Sequence, residues 1–294
     1  MSSRLLILVA ALGAFASLAS AQDFPLSQVL IPGEDWKLVS EGHQFTEGPA
    51  ADADGNVYFV DVPKSQIFHV DHASGKVKLI TDKAEKTSGL AIGPDGALYG
   101  VQGATKRVVK YDSEGKATTI AEGIEVNDLA VGPDGGIYVS DFPNKAVWYV
   151  SPKGEKRIAD KIDKPNGLTF WPDGKTLVVG DFGGNYLYSF RVEKDGALTQ
   201  KDGNYFPQLV NGKVGSGADG IEADSDGRLY VATFAGLQVF DRECRLSGVI
   251  LKPQEKFLSN VCFGGPKFDT LYVTCQDKVY RRVVKTKGLS PVKK

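Results

Sequence analysis

Six oxygen-bearing side chains recur at one phase of a repeat: Glu47, Ser88, Asn127, Asn166, Asp219 and Asn260. The first five each stand seven residues before the Asp of an Asp-Gly pair (Asp54, Asp95, Asp134, Asp173 and Asp226), and Asn260 stands nine before Asp269. Carboxylates and amides that face one another in a buried space need a partner. With no Cys or His in the set, the donors are hard oxygens. They suit one divalent cation, Ca²⁺ first, with Mg²⁺, Mn²⁺ or Zn²⁺ as the other candidates. Two carboxylates, Glu47 and Asp219, balance a dication, and neutral Asn oxygens complete its shell. Asn166-Gly167 and Asp219-Gly220 taken alone also read as turn formers. Glu47 is a poor turn former, and the phase holds in five units of six, which favours a ring.

A second layer lies seven residues after four of the turn acids, at Asp61, Gln102, Asp141 and Thr233, with Asp181 eight after Asp173. Asp61, Asp141 and Asp181 either orient the ring as a second shell or cap strand ends. Phe142, Phe182 and Phe234 follow this layer. They either wall a pocket above the ring or pack between neighbouring units.

Such a ring needs a radial scaffold, and the repeat supplies it. Each head opens a short apolar strand, an Asp-Gly turn follows, and a second apolar strand ends near an acid, as in NDLAVGPDGGIYVSD from Asn127 to Asp141. Asp-Gly between apolar runs is a strong hairpin signal. Successive turn acids are 41, 39, 39, 53 and 43 residues apart. A period near 40 with several short strands per unit predicts an all-β, six-bladed β-propeller with four strands per blade. In unit one the strands are Gly48 to Asp52, Val57 to Asp61, Gln66 to Val70 and Lys76 to Thr81. Unit two repeats them from Gly89 to Ile120. The long step before unit five predicts an insertion over roughly Glu193 to Gly215. The sixth unit offers three strands only. The orphan strand Trp36 to Ser40 is expected to supply the fourth and so remove an open edge. The first strand of each blade lines the axis, so the six heads are expected at one depth.

The whole chain sets outer bounds. Its 294 residues carry 35 basic and 36 acidic side chains, with no basic stripe, which argues against a nucleic-acid partner. Arg4, the apolar run Leu5 to Leu18 and the small residues Ala19-Ser20-Ala21 read as a secretory signal peptide over 1–21, cleaved after Ala21. Residues 22–294 are then one domain, exported to a periplasm or the extracellular space, off the membrane, and taken as a monomer. Cys244, Cys262 and Cys275 are an odd set and read as buried small hydrophobes. Gly215 to Gly220 matches G-x-G-x-x-G but opens no helix, so a dinucleotide site is excluded on context. Asp52 to Gly55 resembles the start of a calcium loop, but Pro63 stands where a bidentate Glu is needed. His43, four before Glu47, reads as structural or solvated, with a proton shuttle as the sharper alternative.

The motifs Glu47-Gly48-Pro49, Asn127-Asp128, Pro165-Asn166-Gly167, Asp219-Gly220, Asn260-Val261 and Phe263-Gly264-Gly265, in this order, resemble the gluconolactonase, regucalcin and senescence-marker-protein family of six-bladed propellers. The resemblance covers essentially the whole chain after residue 21. It implies that Glu47, Asn166 and Asp219 bind the metal directly and that Asn127 binds metal or substrate. It also implies a hydrolase acting on sugar lactones or similar esters, with some relatives acting on organophosphates. On this basis Asp219 is the expected catalytic base, and Ser88, Asn127 and Asn260 are expected to contact substrate. The alternatives are a non-enzymatic exported metal-binding propeller for carbohydrate or protein, and a phosphotriesterase-like hydrolase. Two residues depart from the family pattern. Ala51 stands where Trp often follows the first motif. Glu125 stands near where lactonases often carry an Arg before the third head, and an acid there would not grip a sugar acid.

Overall fold

The computed structural model describes residues 25–291. The signal peptide read over 1–21, with its cleavage site, lies outside the described residues. A short 3₁₀ turn, Leu26–Gln28, precedes the strands. Six antiparallel four-stranded sheets follow. Five run in simple chain order, beginning with Thr46–Ala51, Thr87–Ile92, Leu129–Val131, Pro165–Phe170 and Ile221–Ala223. The sixth orders Leu258–Gly264, Thr270–Cys275 and Lys278–Val283, and Lys37–Glu41 adds its outer edge. The closing strand therefore falls one residue later than the sequence places it. Each inner strand touches those of the two flanking blades, and the first touches the sixth, so the sheets form a closed ring around an axis.

What holds the ring together lies between blades. Each of six apolar clusters is shared by two adjacent sheets. Val60 and Ile67 of blade 1 meet Leu90 and Val109 of blade 2, and Val57 and Phe59 meet Cys262 and Tyr272 across the closure. The two inner strands of each blade are largely buried on both faces, so the second strands read as continuously apolar rather than alternating, while the outer strands are exposed. Truncating a fully buried member such as Leu177 to Ala costs about 2–5 kcal/mol. The insertion resolves into two parts. Leu198–Tyr205 is the long outer strand of blade 4, and residues 206–220 form an irregular connection to blade 5. All three cysteines are free, with Cys262 and Cys275 buried, as the small-hydrophobe reading expects.

Candidate metal centre and active site

The inner strands converge so tightly that the residue after the head has little room for a side chain in four of the blades. A Cβ on Gly167 would stand 2.0 Å from the carbonyl oxygen of Asp219, and one on Gly220 would stand 1.9 Å from Oδ1 of Asn260. Neither glycine has a positive φ. Asn166-Gly167 and Asp219-Gly220 are therefore close-approach sites rather than turns. In blade 1 the same position is Gly48, which also has φ +50°. The post-head position is a glycine in blades 1, 2, 4 and 5 (Gly48, Gly89, Gly167, Gly220) and Asp128 in blade 3. A Cβ on Gly89 would meet Oδ1 of Asp128 at 2.4 Å, so the blade-2 glycine makes room for the blade-3 acid.

Strand register corrects the expected ring in blade 6. Thr46 pairs with Asp61, Thr87 with Gln102, Pro165 with Asp181 and Leu258 with Cys275. In the first three of these blades the head is the next residue, so in blade 6 that place belongs to Ser259. Asn260, paired with Thr274, sits one step further along the strand, level with the post-head glycines and Asp128. The six called residues are thus not at one depth. Glu47, Ser88, Asn127, Asn166 and Asp219 line one cavity of about 430 Å³. Asn260 lines the opposite end of the channel together with Asp128 and Glu222. The altered sixth turn, with its nine-residue offset, had concealed this one-residue slip.

Asn260 links the two depths. Its Oδ1 accepts from Val261 N–H at 2.8 Å, which aims Nδ2 at Glu47 Oε2, 2.9 Å away, and at Asp128 Oδ2, 3.4 Å away. Glu47 Oε2 also accepts from Gly48 N–H at 2.8 Å. Asp128 accepts from Leu129 N–H at 2.8 Å. Ser88 Oγ donates to the carbonyl of Asn127 at 2.6 Å, tying blade 2 to blade 3. Asn166 donates to the buried carboxyl of Asp219, while its own Oδ1, also buried, has no hydrogen-bond partner.

The electrostatics follow from burial. Removal from water pushes Glu47 up to about 7, against the pull of the Gly48 and Asn260 donors. Asp219 is pushed well above the carboxylate range by burial first, then by Glu47 and Asp128. Asp128 is raised likewise, by burial and then by Glu47. No lysine or arginine among the described residues lines either end of the channel. Among the described residues no three His, Cys, Asp or Glu side chains form a metal cluster. The donor set combines two carboxylates with amide oxygens. An acid pair without a counter-charge, beside an amide oxygen without a donor, matches what a hard dication requires.

The second layer is engaged elsewhere. Asp61 accepts from Gln44 N–H at 3.0 Å and Phe45 N–H at 3.2 Å, with Lys64 Nζ 3.3 Å away. Asp141 accepts from Asn144 N–H at 3.0 Å, from its Nδ2 at 3.1 Å and from Trp148 Nε1 at 3.0 Å. Asp181 accepts from Lys164 N–H at 3.2 Å. These bonds match the strand-capping alternative, and they fix the loops that carry the heads. His43 is held by Ser40 at 2.7 Å and packs edge-on against Phe59 and Phe68. It does not line the cavity. Glu125 pairs with Lys106 and is also absent from the cavity wall.

Aromatic rings form that wall. Phe142 and Phe182 line it, joined by Phe45 and Phe257, which sequence reasoning missed. Phe234 packs behind, edge-on to Phe182 at 5.4 Å. Phe45 and Phe257 lie two residues before Glu47 and before Ser259, the heads of blades 1 and 6. An aromatic repeated at that offset was the available signal. Asp128, legible in the sequence only as part of the Asn127-Asp128 motif, stands just before Leu129–Val131, and Glu222 was legible only as an acid inside Ile221–Ala223.

Known proteins resemble the chain at every level. The profile of the SMP-30/Gluconolactonase/LRE-like region matches residues 45–277. A gluconolactonase of Zymomonas mobilis is 27% identical over 131 residues, covering 43% of this chain and 36% of that protein. The chain thus spans well under two thirds of that relative's length. Among solved structures, a gluconolactonase from Xanthomonas campestris superposes with a TM-score of 0.77 at 24% identity, over 88% of this chain and 92% of that one. Regucalcin from Agrobacterium tumefaciens, described as calcium-binding, gives 0.76 at 18% identity, over 89% and 98%. At these identities the superpositions speak for the fold, and the profile match speaks for the family. The chain belongs to the SMP-30/gluconolactonase/LRE-like family.

Proposed function

We propose that the protein is an exported, divalent-metal-dependent hydrolase that opens a lactone or related ester. The observation that carries this reading is the floor of the 430 Å³ cavity, where buried Glu47 and Asp219 meet the unpartnered Oδ1 of Asn166. Glu47, Asn166, Asp219 and Asn127 would hold the cation. When bound, a divalent ion supplies Lewis acidity that polarises the scissile carbonyl and stabilises the oxyanion. Glu47 supplies charge and is fixed in place by Gly48 N–H and Asn260 Nδ2. Asp219 accepts the proton of the attacking water, a role its place among the heads lining the cavity permits. Asn166 holds Asp219 by its amide. Ser88, with its proton committed to the Asn127 carbonyl, presents only acceptor capacity to substrate. The substrate is a small molecule, and the basic and acidic residues are too evenly balanced for nucleic acid.

The test is a panel of lactones, carboxylic esters and phosphotriesters, assayed after EDTA treatment and again with Ca²⁺, Mn²⁺ or Zn²⁺ restored. Metal-dependent opening of lactones or esters is expected, and Asp219→Asn should abolish it. Tight metal binding with no turnover on any member points instead to a non-catalytic propeller that binds carbohydrate or protein. Turnover confined to phosphotriesters points to the third reading.

A further inference from the structure

We propose that the cavity above the ring selects an ester or lactone with an aromatic or alkyl group beside the scissile carbonyl, and discriminates against polyhydroxylated sugar lactones. The proposal rests on the hydrolase reading for the reaction, but not for binding. The walls are Phe45, Phe142, Phe182, Phe257, Val62 and Pro143. None of these side chains carries a hydrogen-bonding group. The polar atoms of the cavity lie among the heads at its floor, and several are already committed. Glu47 accepts from Gly48 and Asn260, Ser88 donates to Asn127, and Asn166 serves Asp219. A sugar lactone bears a hydroxyl on nearly every ring carbon. Each one taken from water without a partner weakens binding by about tenfold or more. Glu125, the charged residue next to Val126 of the wall, is engaged by Lys106.

The arrangement of the rings points the same way. Phe182 stands edge-on to Phe142 at 6.0 Å and 69°, and to Phe234 at 5.4 Å and 77°, with Phe257 tilted at 6.2 Å. All four rings are half-buried rather than closed into a core. Edge-to-face contact is a favoured geometry between aromatic rings, so an aryl group of the substrate finds ring partners here. A cavity of about 430 Å³ lies at the small end of the range for small-molecule sites, enough for a substituted phenyl ester and short of a disaccharide.

The experiment compares phenyl acetate and a phenyl-substituted γ-lactone with glucono-lactone on the calcium-loaded protein, beside Phe182→Ala and the milder Phe257→Leu. Wild type should favour the aryl substrates at least tenfold in kcat/KM. Phe182→Ala should raise KM for phenyl acetate about tenfold and leave that for methyl acetate within twofold, with Phe257→Leu intermediate. A non-hydrolysable phenyl-substituted γ-lactam is titrated in parallel by calorimetry, against the corresponding gluconolactam. Preference for the sugar compounds, in turnover or in binding, overturns the proposal and leaves the hydrolase reading intact. Absence of turnover on every substrate, with the phenyl lactam still bound and weakened by Phe182→Ala, removes the hydrolase reading and keeps this one.

Discussion

The two ends of the central channel are built around the same six blades, yet they differ in how completely their polar groups are satisfied. At the far end, Asp128, Glu222 and Asn260 each accept a hydrogen bond from the N–H of the following residue, at 2.8, 3.0 and 2.8 Å. That cavity is about 190 Å³ and is lined in part by Leu289 and Pro291 of the C-terminal segment. The segment is anchored by Ser225 N–H to Lys287 O at 2.7 Å and by Gly288 N–H to Phe268 O at 2.8 Å. At the near end the cavity is larger, its walls are aromatic, and Asn166 Oδ1 is left without a donor. One end satisfies its acids from its own backbone. At the other, Glu47 is held in the same way by Gly48 N–H, and the difference rests on Asn166 Oδ1, a buried oxygen for which the chain provides no donor.

Substitution at the two ends should separate them most sharply. Glu47→Gln or Asp219→Asn should lower calcium affinity about a hundredfold or more, measured by calorimetry at pH 8. Retained affinity would place the cation elsewhere. At the far end the isosteric change Glu222→Gln should act on stability instead. Burial raises Glu222 from an ordinary 4.5 to about 7. The folded state therefore disfavours its ionised form. The resulting penalty is absent below about 4.5, grows with rising pH, and is complete above about 7. Gln should accordingly stabilise the protein by about 3 kcal/mol at pH 8 and hardly at all at pH 4.5, read from urea unfolding at the two values. Calcium affinity should change by less than about threefold. A fall like that of the Asp219 variant would erase the distinction between the ends.

Smaller effects refine the boundary of the near end. Asp61→Ala removes the acceptor for two backbone N–H groups and should cost about 1–3 kcal/mol of stability. The remaining folded protein should bind calcium normally, because Asp61 caps the loop and not the ring. Loss of affinity at unchanged stability would restore it as a ligand-orienting group. The smallest effect is expected for Glu125→Ala. With Lys106 as its partner and no place in the cavity wall, it should alter KM for any lactone by less than about twofold.

Most of the fold was legible because one local signal, Asp-Gly between apolar runs, recurs at nearly constant spacing and each copy dictates a hairpin. The closing strand followed from a count, since three strands at the end and one at the start make a blade. Glu47, Asn166 and Asp219 were legible as polar residues at a fixed distance from those turns. Asn260 was misplaced in depth because its turn is altered, and only the pairing of Leu258 with Cys275 shows where its strand enters. Asp128 was legible only as part of the Asn127-Asp128 motif, without a role, and Glu222 escaped because inner strands here are covered on both faces. Their pattern is then continuously apolar, and no alternation marks which side chains reach the axis. The capping role of Asp61, Asp141 and Asp181 rests on loop hydrogen bonds that spacing does not encode.

The bond from Asn260 Nδ2 to Glu47 Oε2 joins residues 213 positions apart and crosses the seam where the last blade meets the first. Ser259 Oγ to Thr46 O, at 2.8 Å, crosses it too. On a ribosome, Glu47 emerges early and waits for nearly the whole chain before its partner exists. The acid at the heart of the cavity is therefore oriented last, by the same event that seals the ring. If the proposed site holds calcium, recovery of cation binding in refolding should coincide with the slowest long-range step, and calcium affinity would then report ring closure.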